Sequence, residues 1–390
     1  MEPIAFCGTD RQLYILDALD RPPLRLTDEP GATHTWPTWA PGRTALAAMR
    51  RPRGNRAEQA SVELWLDLPP DAGRAATPEP VGPPRGVWTA RHGGPICLGW
   101  APDARHLGML VQEADDLHLL VAERDGFEAR PVASGAPLYW SWTADGQGLV
   151  AHVGGHHRYG EGAHVALVRL AERYSRETLC TRPLGFRAPA CEPAGPRVAY
   201  ATDETGDAAL IVLDLASGQK ETIAAVGDEP AFVWAPDGRQ LAVAANRSES
   251  GLYDDVALVD ARSGAIQPLG VSVLAFFWTP DSAALVCAVP DPLGEGLAWE
   301  RIEAADGRVR RLASFSPTPE LALLLGHFDQ YAQSCRLYSR DEPLLLFSSA
   351  GDEARHNGRA PEHAELWLAR GEGPAALERL AGGSIGFFAP

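Results

Sequence analysis

One short box recurs along the chain, and its spacing constrains the fold more than any other feature. Trp234-Ala235-Pro236-Asp237-Gly238-Arg239-Gln240-Leu241-Ala242-Val243 is the clearest copy. Trp100-Ala101-Pro102-Asp103, Trp278-Thr279-Pro280-Asp281 and Trp142-Thr143-Ala144-Asp145-Gly146 repeat it. Weaker copies are Trp39-Ala40-Pro41-Gly42, Cys191-Glu192-Pro193-Ala194-Gly195 and Tyr338-Ser339-Arg340-Asp341. They begin at residues 39, 100, 142, 191, 234, 278 and 338, so neighbouring copies lie 42 to 61 residues apart. A period of roughly 40 to 50 residues, lengthened twice by insertions, is that of a β-propeller blade.

The box has a mechanical meaning. An apolar strand ends on a bulky aromatic, Pro presets φ, and Asp-Gly supplies the tight turn into the next strand. After the box at Trp234, Leu241–Ala245 reads as a second strand, Asp255–Asp260 as a third, and Ser263-Gly264 as the turn into a fourth. Four such antiparallel strands cannot bury both faces alone and must stack on neighbouring units, with the repeated aromatic packed between blades. The 39 glycines and 33 prolines separate short apolar runs throughout, which fits strands and turns and argues against a helical bundle.

The two ends supply one more unit. Ser384–Pro390 reads as an inner strand, and Pro3–Gly8, Gln12–Asp17 and Pro23–Leu26 read as the second, third and fourth strands that go with it. The expectation is an all-β chain forming a single eight-bladed propeller of four-stranded antiparallel blades over residues 1–390, closed by a composite blade from residues 1–28 and 384–390. Seven blades is the alternative, because the box at Cys191 is degenerate.

These boxes resemble the TolB-like, WD40-like propeller repeats, whose usual form is an aromatic-Ser-Pro-Asp-Gly turn followed by Leu and apolar residues. The resemblance covers nearly the whole chain and implies the fold; it implies little about function. Several copies depart from the form: Gly42 replaces Asp, Ala144 and Arg340 replace Pro, and Cys191 replaces the aromatic.

Charge narrows the function classes. With 35 Lys+Arg against 51 Asp+Glu the chain carries −16, which disfavours nucleic acid as a partner. No apolar stretch approaches the roughly 18 residues that span a bilayer, and Glu2 stands where a leader peptide carries positive charge. A cytoplasmic protein without membrane insertion is expected. Cys7, Cys97, Cys180, Cys191, Cys287 and Cys335 are widely spaced and sit mostly in apolar runs, the pattern of buried thiols rather than of a disulfide or zinc framework.

Catalytic motifs fare poorly. Gly382-Gly383-Ser384-Ile385-Gly386 matches the G-x-S-x-G elbow, but the sequence stops four residues later, without the helix and the downstream acid and histidine of that family. The loop Gly154–His164 holds His156, His157, Tyr159 and Glu161; paired imidazoles with a glutamate have the chemistry for zinc or manganese, weighed against a solvated loop. Oligogalacturonate lyases, which resemble this repeat class, use histidine-bound metal. The acidic loops Asp203–Asp207 and Tyr253–Asp255 lack the alternating ligand series of a calcium loop, and the basic run Arg50–Arg56 reads as a solvated loop.

The segment Glu320–Ser334 breaks the blade rhythm and belongs near the mouth of the central channel, beginning as a strand and finishing as a turn or short helix. His327, Asp329, Gln330, Tyr331 and Gln333 give it unusual hydrogen-bonding capacity. As a plug it buries Asp329, Gln330 and Tyr331 against inner-strand groups such as Arg187 or Arg91; as a ligand site it leaves them facing an open cavity. Inner-strand beginnings add His34, Trp36, Arg91, His92, Tyr139, Trp140 and Arg187 to the candidates. The resulting reading is a non-enzymatic scaffold without cofactor or bound metal. It binds another protein, or a small ligand, through its rim loops and channel mouth. The alternative is a lyase or hydrolase of a small polar substrate, such as an acidic sugar, with or without a metal.

Overall fold

The computed structural model describes residues 1–390 apart from 55–58, 67, 69–81, 114–115, 127, 155–161, 172–173, 186, 205, 293, 295, 351–363 and 373. Six of the seven boxes end an inner strand and turn the chain into the next one, and at the seventh Tyr338 makes only an isolated bridge to Leu345. At Trp234 the inner strand Ala231–Trp234 pairs antiparallel with Gln240–Ala244, Phe232 opposite Val243. Asp237 Oδ1 accepts the Arg239 N–H at 2.9 Å, and the Gly238 N–H donates to the Ala235 carbonyl at 2.9 Å. The turn requires a left-handed residue after the aspartate. Gly238 and Gly146 supply it at φ +70° and +68°, whereas Ala104 and Ser282 hold φ 57° and 59° there against steric cost. The third strand, Ala257–Asp260, ends on an aspartate that accepts the Arg262 and Ser263 N–H groups at 3.1 and 2.7 Å, opening the turn into Ile266–Pro268.

Among the described residues the strands make seven blade-sized sheets, the alternative count rather than eight. Six have four strands, and the seventh has six. The cause is the strand Leu377–Phe388, which passes through Gly382-Gly383 without a break. Its first half pairs with Ala364–Ala369 and its second half with Ile4–Gly8, Ile4 opposite Phe388 and Cys7 opposite Ile385. The expected composite blade therefore does not stand as a sheet of its own. Its strands Ile4–Gly8, Leu13–Leu16 and Leu24–Arg25 form where the sequence placed them, but they extend the last sheet. The G-x-S-x-G match lies inside this same strand with Ser384 buried, not on a strand-to-helix turn.

The box aromatics pack between sheets and add a directional bond. The indole N–H groups of Trp100, Trp142, Trp234 and Trp278 donate to the carbonyls of Thr38, Gly99, Ala190 and Val233 at 3.0, 3.0, 2.8 and 3.0 Å. Every acceptor is the residue just before the first box residue of the preceding sheet, which is Cys191 for Trp234 and a tryptophan for the others. At the degenerate box the Cys191 thiol takes the indole's place, donating to the Ser141 carbonyl at 3.7 Å. Burial pushes that thiol up to about 12, so it keeps its proton. All six cysteines are buried and free.

The segment after Thr318 does not begin as a strand. Thr318 Oγ1 accepts the Leu321 N–H at 3.2 Å as an N-cap, Pro319 sits in the first turn, and Glu320 follows it. The chain thus forms α1 (Pro319–Gly326) and then α2 (Phe328–Tyr331). Among the described residues no helix is long and apolar enough to cross a membrane.

Candidate functional site

The inner strands converge on a central channel whose two ends differ. At the end where those strands begin, α1 and α2 fill the opening. Phe328 is 1% exposed and packs against Phe276, Tyr253 and Phe277 with ring centroids 4.6, 5.7 and 5.9 Å away. Tyr331 stacks on Trp36 at 4.8 Å, and Trp36 on Phe387 at 6.0 Å. A bulge between Thr35 and Thr38 turns Trp36 inward at φ +54°, a strained value for a bulky residue, which its stacking with Tyr331 and Phe387 offsets.

Polar groups of the plug are matched to inner strands. Gln330 Oε1 accepts the Trp140 N–H at 2.9 Å while its Nε2 donates to the Trp140 carbonyl at 3.1 Å, so one amide completes a strand edge as a neighbouring strand would. Gln333 Nε2 donates to Ser141 Oγ, the Tyr139 hydroxyl meets His327 Nδ1 at 2.9 Å, and Asp329 Oδ2 accepts the Ala188 N–H at 3.2 Å. Burial pushes the Tyr139 and Tyr331 hydroxyls up and the His327 imidazole down, which holds all three neutral.

Other candidates separate from this group. The expected Asp329 ion pair with Arg187 or Arg91 does not form. The Arg187 guanidinium lies over the Tyr253 ring at 5.2 Å with Glu229 at 3.9 Å, and Arg91 and His92 are exposed. His34 is buried in a side cluster, its Nε2 3.4 Å from Glu63, beside the Arg50–Glu29 pair whose Nε–Oε2 bond is 2.8 Å. His156, His157 and Tyr159 lie outside the described residues.

One buried histidine supports the plug and makes the fold acid-sensitive. His152 Nδ1–H donates to the Arg187 carbonyl at 2.9 Å, and burial lowers its pKa to about 4. The unfolded chain therefore binds the proton more readily than the folded one. The contribution of neutral His152 is intact above about pH 6.5 and is lost as pH falls toward 4, by about 3 kcal/mol. Chemical denaturation at pH 7 and pH 4.5 should show His152→Gln losing much less stability across that window than the parent chain; equal losses would contradict the assignment.

The opposite end is open. There the boxes place Trp39, Trp100, Trp142, Trp234, Trp278 and Tyr338 around a cavity of about 480 Å³, with the box prolines on its rim. The chain leaving α2, residues 332–338, runs along the wall. Glu192 at the rim is gripped by Arg197 through two bonds of 2.8 Å, and that guanidinium sits 4.8 Å from the centre of the Trp234 ring. Arg336 and Arg340 also line the cavity. Among the described residues neither guanidinium has an ion-pair or hydrogen-bond partner. Burial, then the nearby Arg340, push the Arg336 pKa down, and Glu2 opposes this. Glu2 is itself engaged by Ser339 Oγ at 2.6 Å and the Arg340 N–H at 2.7 Å.

The sequence candidates did not include this ring, although the repeat implies it. A residue type that ends every inner strand must line one mouth of the channel. Arg336 carried no signal, and Arg340 only a weak one, as the residue standing where other boxes have Pro.

No protein-family model matches the sequence, and no curated protein matches it. Among solved structures the chain is similar to a prolyl endopeptidase at 11% identity and a TM-score of 0.50, over 92% of this chain and 51% of that one. It is also similar to TolB from Acinetobacter baumannii at 16% identity and a TM-score of 0.45, over 73% of this chain and 63% of that one. An oligogalacturonate lyase in complex with manganese aligns at 12% identity and a TM-score of 0.48, over 72% and 75%. This chain thus spans less than two thirds of the TolB chain and about half of the peptidase. At such identities the likeness concerns the fold alone. With the box at the end of its inner strands and antiparallel four-stranded sheets around a channel, the chain folds as a β-propeller.

Proposed function

We propose that the chain is a non-enzymatic binding scaffold whose working surface is the open mouth of the channel. The observation that carries this reading is the asymmetry of the two ends: one is filled by α1 and α2, the other holds a tryptophan-ringed cavity of about 480 Å³. That volume suits a small ligand or an apolar group presented by another protein, and the surrounding rim loops offer the contact area for such a protein partner. The cavity thiols support binding rather than covalent chemistry. Burial pushes both Cys191 and Cys335 up to about 12, so neither presents a thiolate at neutral pH.

A neutral apolar fluorophore, N-phenyl-1-naphthylamine, tests the reading. One equivalent should bind with enhanced emission, and Gln333→Trp, which places bulk at an exposed position on the cavity wall, should abolish binding. Failure of the fluorophore to bind, or binding unaffected by Gln333→Trp, would remove the cavity from consideration. Stoichiometric zinc, manganese or iron in the purified protein would replace this reading by the enzymatic one.

A further inference from the structure

The cavity at the open mouth is apolar on its sides and cationic on one wall. Five indoles and Tyr338 make the sides, and their N–H groups are largely spent on inner-strand carbonyls, so they present ring surface rather than donors. Four charged side chains line the space. Glu192 is neutralised by Arg197, and Asp329 accepts the Ala188 N–H and faces the charge of Arg187. Arg336 and Arg340 remain. Both belong to the stretch that follows α2, close enough for Arg340 to disfavour the charge on Arg336; the nearby Glu2 carboxylate, whose Oε2 accepts from Ser339 Oγ and the Arg340 N–H, offsets part of this without an ion pair to either guanidinium among the described residues. A partly buried guanidinium without a carboxylate partner is costly in an empty site. The cost falls when an anion arrives, and a planar guanidinium offers it two parallel donors.

We infer that the cavity takes a small organic anion, an apolar ring system bearing one acidic group, with the ring between the box tryptophans and the anion on Arg336, assisted by Arg340. The inference rests on the reading of this cavity as the binding surface and adds the ligand's charge. Nearly all of the acidic excess of this chain, −16 overall, lies elsewhere. The anionic group is therefore selected locally, against the field of the whole protein. Ring size is limited by the volume of about 480 Å³, which admits two or three fused or linked rings.

Two fluorophores that differ by one anionic group separate the claims: neutral N-phenyl-1-naphthylamine and 8-anilinonaphthalene-1-sulfonate, whose sulfonate stays charged at every working pH. In titrations of the intact chain at low salt, the sulfonate should bind about tenfold more tightly and displace the neutral probe. Arg336→Gln should bring the two affinities within about twofold while leaving the neutral probe's own affinity unchanged, and Arg340→Gln should lower the preference about threefold. Should Arg336→Gln fail to fold, Arg340→Gln and the comparison of the two probes on the parent chain still decide the matter. Equal affinities on the parent chain, or a preference that survives both substitutions, overturn the anion assignment and leave the cavity reading standing. Failure of the neutral probe to bind overturns the cavity reading itself.

Discussion

A chain shortened by residues Ser384–Pro390 is expected to lose its fold or to aggregate. The segment is the second half of the strand Leu377–Phe388 and the ladder partner of Ile4–Gly8, with Ala5 opposite Phe387 and Phe6 opposite Gly386. It also accounts for four almost fully buried residues, Ile385, Phe387, Phe388 and Ala389. Removing two buried phenylalanines costs about 3–5 kcal/mol each, against a total stability on the order of 5–15 kcal/mol. The loss reaches further. Phe387 backs Trp36, which in turn carries Tyr331, and the Ser384 carbonyl accepts from Thr318 at the start of α1 at 2.6 Å. Both the sheet edge and the plug should fail together. Circular dichroism melts and light scattering read the outcome, and a melting curve like that of the parent chain would contradict the strand pairing.

Phe328→Ala should lower stability by about 3–5 kcal/mol, the largest effect expected of any single substitution in the plug. The ring is almost wholly buried among Phe276 and Phe277 of the inner strand Ala275–Trp278 and Tyr253 of the short strand Tyr253–Asp254. For a chain of 390 residues the melting temperature should fall by about 4–6 °C. Asp329→Ala makes the contrasting measurement. Its carboxylate is half-buried and holds one N–H, so its loss should cost about 1–3 kcal/mol, well short of the penalty for breaking a buried ion pair. A Phe328→Ala melt close to the parent's would show that α2 rests on the channel without filling it.

These two substitutions also mark how far the sequence could be read. The repeat box fixes the end of each inner strand because Trp, Pro and Asp-Gly each dictate a local geometry, and the observed turns at Trp234 and Trp142 follow that chemistry. The plug was legible as well, since Phe328 and Tyr331 flank polar residues and draw them inward. The sheet count was not. Whether Gly382-Gly383 breaks a strand or carries it through depends on two glycine conformations that no periodicity encodes. The leucine run 321–325 suits strand and helix alike; Thr318-Pro319-Glu320 before it is the signal that decides for helix. The cavity escaped notice for a different reason. Its chemistry lies in which charges are paired, and Glu192 finds Arg197, while Arg336 finds no ion pair among the described residues, only once the ring is closed.

The indole-to-carbonyl bonds bear on how such a ring is assembled over generations. Five sheets bring their own donor, four an indole and one the Cys191 thiol, and reach backward to a carbonyl of the sheet before. A duplicated unit therefore arrives with its fastening supplied and presents the same fastening point to whatever follows. Growth by one unit asks nothing new of the neighbours. Even loss of the tryptophan at Cys191 is absorbed, because a thiol reaches the same carbonyl. Trp39 is an exception: among the described residues its buried indole N–H has no acceptor, at the joint with the sheet that both ends of the chain enter. There lineage gives way to closure, and the last joint is held by strand pairing between the chain's two ends instead of by the inherited bond.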